Sequence, residues 1–310
     1  MGKQTTNTVL MIEPVAFGFN AQTAVNNYFQ TNIKKDAADV QTLALREFQE
    51  LVNKLRENGV EVIVVKDTPD PHTPDSVFPN NWISFHAENR VALYPMFAIN
   101  RRLERRKEIV GAVAQNKLVN FAVQDYSSHE LSGRFLEGTG SMVLDRKNKI
   151  AYAALSERTD KGLFLSFCND FDYKPVCFGA FQTVDNLRLP VYHTNVMMCV
   201  ADEYVVICSE SIDNESERNR VKKMIDDTGK ETIEISEKQM QAFAGNMLQL
   251  ENEQGLKLLV MSRSAFASLE PEKLVQLLKY NNLVVSDVGT IEKYGGGSVR
   301  CMLCEVFTNE

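Results

Sequence analysis

Five short segments of this chain put a polar or reactive side chain just ahead of an apolar, strand-like run. They are VFPNNWIS around Asn81, LEGTGSMVL around Glu137, YHTNVMMCV around His193, FAGNMLQLE around Asn246 and GGSVRCMLCE around Cys301. The intervals between these reference residues are 56, 56, 53 and 55 residues. Repeats of about fifty residues signal a propeller or a solenoid. In a closed ring of five units the equivalent positions converge on one axis. That arrangement brings a carboxylate, an imidazole, a thiol and several amides to one place.

Such a set can do covalent chemistry. A thiol is a weak nucleophile until a base activates it, and His193 is of the right type to serve Cys301. The same imidazole can carry the proton to a departing amine and then activate water. Glu137 can orient the imidazole or hydrogen-bond the N–H groups of a planar nitrogenous substrate. Gly295, Gly296 and Gly297 let the backbone approach a ligand where a side chain would clash.

The plainer readings are weaker. Cys301 and Cys304 have CxxC spacing, but a thioredoxin-type pair opens a helix inside a βαβ unit. These two stand in an apolar, strand-like run. The other cysteines, 168/177 and 199/208, lie nine residues apart, which is not zinc spacing. They read as buried thiols in strands, and no metal or cofactor is expected. His72, His86 and His129 read as surface or loop residues.

The elements that must hold these side chains alternate between helix and strand. Residues 38–58 place Leu45, Phe48, Val52 and Leu55 on one helical face, with Gly59 as a C-terminal cap, and VEVIVV follows as a buried strand. Residues 215–228 predict a helix stopped by Gly229, and Ser236 with Gln239 forms a capping box. Residues 262–282 predict a helix broken near Pro271, followed by a strand in LVVSDV. The basic run Arg101–Lys107 (RRLERRK) reads as a solvated helix face. The fold class is α/β, and nothing divides residues 1–310 into more than one domain.

Composition narrows the function. Apolar residues make up 44% and charged residues 24% of the 310, as in an ordinary folded globule. A net charge of −7 argues against nucleic acid or an anionic membrane as the main partner. No stretch is apolar for about 18 residues, so no membrane span is expected. Six cysteines without a secretory signal point to reduced thiols and a cytoplasmic location.

The motifs also carry a family likeness. In order, Asp75-Ser-Val-Phe78, Leu136-Glu137-Gly138-x-Gly140, His193-Thr-Asn195 and Gly-Gly-Gly-x-x-Arg300-Cys301 resemble the guanidino-group-modifying enzymes. That superfamily includes arginine deiminases, dimethylarginine dimethylaminohydrolases and amidinotransferases. The resemblance implies a five-bladed α/β propeller (a pentein) with repeats of about 55 residues, acting without a cofactor on a small guanidino or ureido compound. It implies that Cys301 attacks the central carbon, that His193 protonates the departing amine, and that Glu137 binds substrate nitrogen. Asp75, Phe78, Asn80, Asn81, Asn195, Gly296, Gly297 and Arg300 correspond to substrate-binding positions.

The departures from the pattern bear on the substrate. Asn80 and Asn81 stand where deiminases and dimethylargininases carry an acidic residue that grips the guanidinium, and Asn195 stands where deiminases carry an aspartate. Burying a cation with fewer carboxylates costs several kcal/mol, whereas amides suit a neutral ureido group. DSVFPNNW and HTNV are similar to the citrulline-utilisation hydrolase branch. The expected activity is hydrolysis of a C–N bond in an arginine- or citrulline-like compound. An amidinotransferase and a non-catalytic binding propeller are the alternatives. Arg90, Arg134, Arg188 and Arg300 are candidates to clamp a substrate carboxylate, and the sequence does not set the oligomeric state.

Overall fold

The structure, a computed structural model, describes residues 2–31 and 36–308. Its first strands, β1 (Thr8–Glu13) and β2 (Glu61–Lys66), run parallel, with Val9 opposite Val62. Parallel strands need a long crossover, and here the helix Ala37–Glu57 supplies it. Asp36 accepts the Ala38 N–H at its start, Val40, Ala44, Phe48, Leu51, Val52 and Leu55 are buried, and Gly59 follows at φ 79°.

The same pattern recurs. Each further unit has an antiparallel first pair and a parallel second pair. Sheet two holds β3 (Ile83–His86), β4 (Arg90–Leu93) and β5 (Ala122–Asp125). Sheet three holds β6 (Val143–Asp145), β7 (Ile150–Leu155) and β8 (Lys174–Gly179). A hairpin, β9 (Phe181–Val184) and β10 (Leu187–Pro190), precedes sheet four. Sheet four holds β11 (Met198–Val200), β12 (Tyr204–Ile207) and β13 (Glu231–Glu234). Sheet five holds β14 (Leu248–Glu251), β15 (Lys257–Ser262) and β16 (Asn282–Ser286). The crossovers are the helices Lys107–Lys117, Lys161–Asp170 and Glu215–Asp226, then the pair Arg263–Ser268 and Pro271–Leu278. The last strand, β17 (Cys304–Glu305), returns antiparallel to β1, pairing Val9 with Glu305. β17 packs against β3, β6 against β11, and β11 against β14.

The apolar core is shared between neighbouring sheets. Phe48 and Leu51 of the first crossover helix pack with Leu250 and Val260 of sheet five, while Phe164 and Phe167 join sheets two and three at Ala92 and Ala151. Burying both faces of a sheet in this way explains the continuous apolar runs that mark the strands in the sequence.

Several sequence expectations need correction. RRLERRK is not a solvated helix face: residues Asn100–Glu104 form a 3₁₀ turn in which Arg101 and Glu104 are buried, and the helix begins only at Lys107. Cys168 lies on a helix, and Cys301 lies in a short helical turn, Val299–Met302, so only Cys304 of that pair is in a strand. An apolar run that short fits a turn as well as a strand. His86 is a core residue on β3, its ring 4.3 Å from that of Phe171 and its Nε2 2.7 Å from Ser84 Oγ. His129 is half-buried in the 3₁₀ turn Ser127–Ser132, its Nδ1 2.8 Å from Arg134 Nη2.

Candidate active site

All five reference residues fall in the turn that leads into the first strand of a sheet. Asn81 and Asn246 stand two residues before Ile83 and Leu248, and Cys301 three before Cys304. His193 is five before Met198 and Glu137 six before Val143. The repeat therefore selects the right turns, but not one fixed position within them.

Cys301 and His193 line one pocket, with Asp75, Phe78, Asn81, Arg101, Arg158 and Tyr192. Thr23 and Asn27 also line it, and the cavity is only about 10 Å³.

His193 and Glu137 are both buried, with Nε2 and Oε2 2.8 Å apart. An ionised carboxylate only accepts, so Nε2 carries the hydrogen and Nδ1 keeps its lone pair. Burial pushes His193 down to about 4, against the opposing pull of Glu137. Burial also acts to raise Glu137, but Arg158 and then His193 outweigh it and hold the carboxyl at about 2. At neutral pH the pair is thus a carboxylate and a neutral imidazole. The other carboxylate oxygen, Oε1, accepts the Phe97 N–H at 2.9 Å, and Arg158 Nη1 lies 3.5 Å from Oε2. With both oxygens engaged, Glu137 orients the imidazole and does not present an oxygen to the pocket.

Two buried polar atoms of residues lining the pocket have no partner, Asp75 Oδ1 and Asn81 Nδ2, and Asn195 Oδ1 behind them has none either. Asp75 Oδ2 accepts from Asn20 at 2.7 Å and from Thr23 at 3.2 Å, and burial raises this carboxyl despite the nearby Arg101. Asn81 Oδ1 accepts from Arg101 Nη1 at 2.7 Å, which fixes its amide with the NH₂ end free. Asn195 donates its amide to Cys301 Sγ at 3.3 Å, and so does Asn246. Asn80 points elsewhere, donating to Thr139 Oγ1 at 3.2 Å.

The glycine run serves packing more than open space. A Cβ on Gly295 would lie 2.7 Å from the Phe78 ring, and one on Gly297 would lie 3.0 Å from it. Gly296 adopts φ 64°, and its carbonyl accepts the Tyr192 O–H at 2.6 Å. Arg300 does not reach the pocket. Its guanidinium bonds Glu305 at 2.7 Å and the Leu303 carbonyl at 2.9 Å, because successive side chains of a helical turn point about 100° apart, so Arg300 faces away from its neighbour Cys301.

Sequence reasoning also missed the pocket's arginines. Arg90 stacks on Phe171, while Arg134 and Arg188 are tied up at the surface. The pocket instead carries Arg101 and Arg158. Arg101 forms two 2.9 Å bonds to Glu104, and Arg158 bonds Asn26 and the Thr23 carbonyl. Among the described residues no group of three His, Cys, Asp or Glu side chains is placed to hold a metal ion. No helix among them is long and apolar enough to cross a membrane.

Residues 13–308 match the family described as N,N dimethylarginine dimethylhydrolase, eukaryotic. The chain belongs to that family. With it comes membership of the guanidino-group-modifying pentein superfamily that the motifs resemble. No curated protein matches significantly. Among solved structures, the chain is similar to apo ArgZ, an arginine dihydrolase from the ornithine–ammonia cycle in cyanobacteria. The TM-score is 0.74 at 17% identity, covering 98% of this chain and 41% of ArgZ, so the chain spans less than half of that protein's length. The N-terminal domain of ArgZ bound to substrate aligns over 97% of this chain and 98% of its own, at 17% identity and TM-score 0.71. The dimethylarginine dimethylaminohydrolase of Pseudomonas aeruginosa complexed with citrulline aligns at TM-score 0.63 and 15% identity, over 98% and 100% of the two chains.

Proposed function

We propose that this chain is a single-domain, five-bladed α/β propeller that hydrolyses a C–N bond in a guanidino or ureido compound through a covalent Cys301 intermediate. The observation that carries the reading is one pocket holding the thiol, a carboxylate-oriented imidazole and two unpartnered polar atoms. Such atoms cost free energy unless a ligand satisfies them.

In this mechanism His193, neutral at rest, takes the thiol proton, and Sγ bonds to the central carbon of the substrate. The protonated imidazole, stabilised by Glu137, passes that proton to the departing amine as the C–N bond breaks. Water then adds to the thioester-like carbon with His193 as base, and the C–S bond breaks to restore the thiol. The structure of the ArgZ N-terminal domain covalently bound to a reaction intermediate is consistent with this course.

The pinned amide of Asn81 favours the ureido branch. A guanidinium has only N–H groups to offer and leaves Asn81 Nδ2 unpaired, whereas a ureido oxygen accepts from it. The two pocket arginines already engage Glu104 and Glu137, so a third guanidinium would enter with Asp75 as the one carboxylate lining the pocket.

The test is a panel assay of ammonia and amine release with arginine, citrulline, agmatine, methylarginines and carbamoyl amines. Turnover of a ureido substrate above arginine, lost by about 10⁴-fold or more in Cys301→Ala, is the expected outcome. Activity unchanged in Cys301→Ala removes the nucleophile assignment, and equal turnover of arginine and citrulline removes the role given to Asn81.

A further inference from the structure

The basic run Arg101–Lys107 divides in two. Arg101 and Glu104 are buried and support the active site, whereas Arg105, Arg106 and Lys107 border a separate cleft of about 410 Å³. This cleft lies between the helix Lys107–Lys117 and strands β4 and β5, and it shares none of its described lining residues with the Cys301 pocket. Its volume is that of a small-molecule site. Leu93, Val110, Phe121 and Val123 give it apolar walls. Lys107, Val110, Gly111 and Ala114 form one helical stripe along it. A Cβ on Gly111 would meet nothing within 4 Å, so the glycine keeps the space open.

Two polar groups of this lining have no partner among the described residues. Trp82 is 1% exposed, and its indole N–H, which can only donate, has no acceptor. Lys107 is exposed at the first position of its helix, whose start has no side-chain cap. Arg105 is already engaged by Glu130 at 2.6 Å, and Arg106 by the Lys66 carbonyl at 3.1 Å. Asp125 is the one carboxylate among the described lining residues, and it accepts the Ser127 N–H at 2.8 Å.

We propose that this cleft is a second small-molecule site, which takes a small amphipathic anion: an aromatic or branched aliphatic body bearing a carboxylate. The body displaces water from the apolar walls. The oxygens are the acceptors that the indole N–H and Lys107 lack, and negative charge is favoured at the uncapped helix start. The proposal is independent of the role given to Cys301.

Trp82 is the only tryptophan in the chain, so its emission reports this cleft alone. The experiment titrates the full chain with 3-phenylpropionate and reads tryptophan fluorescence, with calorimetry in parallel. A saturable change is expected. Uncharged 3-phenylpropan-1-ol should bind about threefold or more weakly, and acetate should give no change. Lys107→Met should weaken the acid by about threefold, the scale of an exposed ion pair, and leave the alcohol unaffected. Gly111→Leu fills the gap and should abolish binding of both while the chain stays folded and its turnover is unchanged.

No saturable change with 3-phenylpropionate overturns the proposal. Equal affinity for acid and alcohol removes the anion from it, and native affinity in folded Gly111→Leu places the probe elsewhere. Emission that shifts with protein concentration alone, and not with the probe, assigns the cleft to contact between copies of the chain instead.

Discussion

Glu137 Oε2 and His193 Nε2 lie 2.8 Å apart, both buried, and the pair bears its negative charge on the carboxylate. Because His193 is depressed to about 4, the acid limb of kcat/KM should have its midpoint well below the usual histidine range. Glu137 is an influence that raises His193, so Glu137→Gln should move that limb further to acid while lowering kcat by about 10²-fold or more. A pH–rate profile checks both, and a limb near 6.5 in the native protein contradicts the assignment. Stability follows the same signs. The unfolded chain binds protons more readily at both groups, so stability is lost as pH falls from about 6.5 toward 4 for His193 and from about 4.5 toward 2 for Glu137.

Gly140 sets how closely two site residues pack. A Cβ there would lie 2.4 Å from Asn81 Nδ2 and 2.8 Å from His193 Nδ1. Gly140→Ala should lower kcat by about 10²-fold, the scale of a 1 Å misplacement. It should cost about 1–3 kcal/mol in stability from overpacking. Steady-state kinetics and urea unfolding measured on the same preparation separate the two effects.

Arg101 bonds Glu104, Asn81 Oδ1 and the Phe78 carbonyl at 2.7–3.1 Å. Arg101→Met leaves Glu104 buried and unpaired, which should cost about 3–5 kcal/mol. The double variant Arg101→Met with Glu104→Gln should recover much of that loss but not the activity, because Asn81 stays unpinned. Recovery of both in the double variant would remove Arg101 from the site's support.

Arg300 tests the opposite case. Its side chain is held by Glu305 and Leu303 outside the pocket. Arg300→Lys should lower stability by about 1–3 kcal/mol, as for a charged hydrogen bond, and leave KM within about twofold. A large rise in KM would return Arg300 to substrate binding.

The reactive trio and the turns that carry it were legible because thiol, imidazole and carboxylate stand at repeat spacing before apolar runs. Asn246 was visible as a repeat position, but an amide carries no chemical signature until its neighbours are known. Arg101 and Arg158 were invisible for a related reason. A buried guanidinium needs partners distant in the sequence: Arg158 meets Glu137, Asn26 and Thr23, and nothing in SERTDK announces them. Arg101 was misread because a basic run near apolar residues mimics a solvated helix. The apolar stretch around Cys301 was misread as strand because four residues fit a helical turn equally well. The helices were easier, since Ser236 with Gln239, Pro271 and Gly229 act through local backbone chemistry alone.

The pairing of β1 with β17 has the largest sequence separation of the strand pairs among the described residues. Val9 must find Glu305 across almost the whole chain, a closure whose entropy is met before any contact rewards it. Cys301 sits three residues ahead of β17, so the thiol reaches His193 only when that strand docks. Helical signal can return while the catalytic groups are still apart. A refolding experiment that follows both should find turnover returning after the helical signal, so that the protein's own turnover times strand closure.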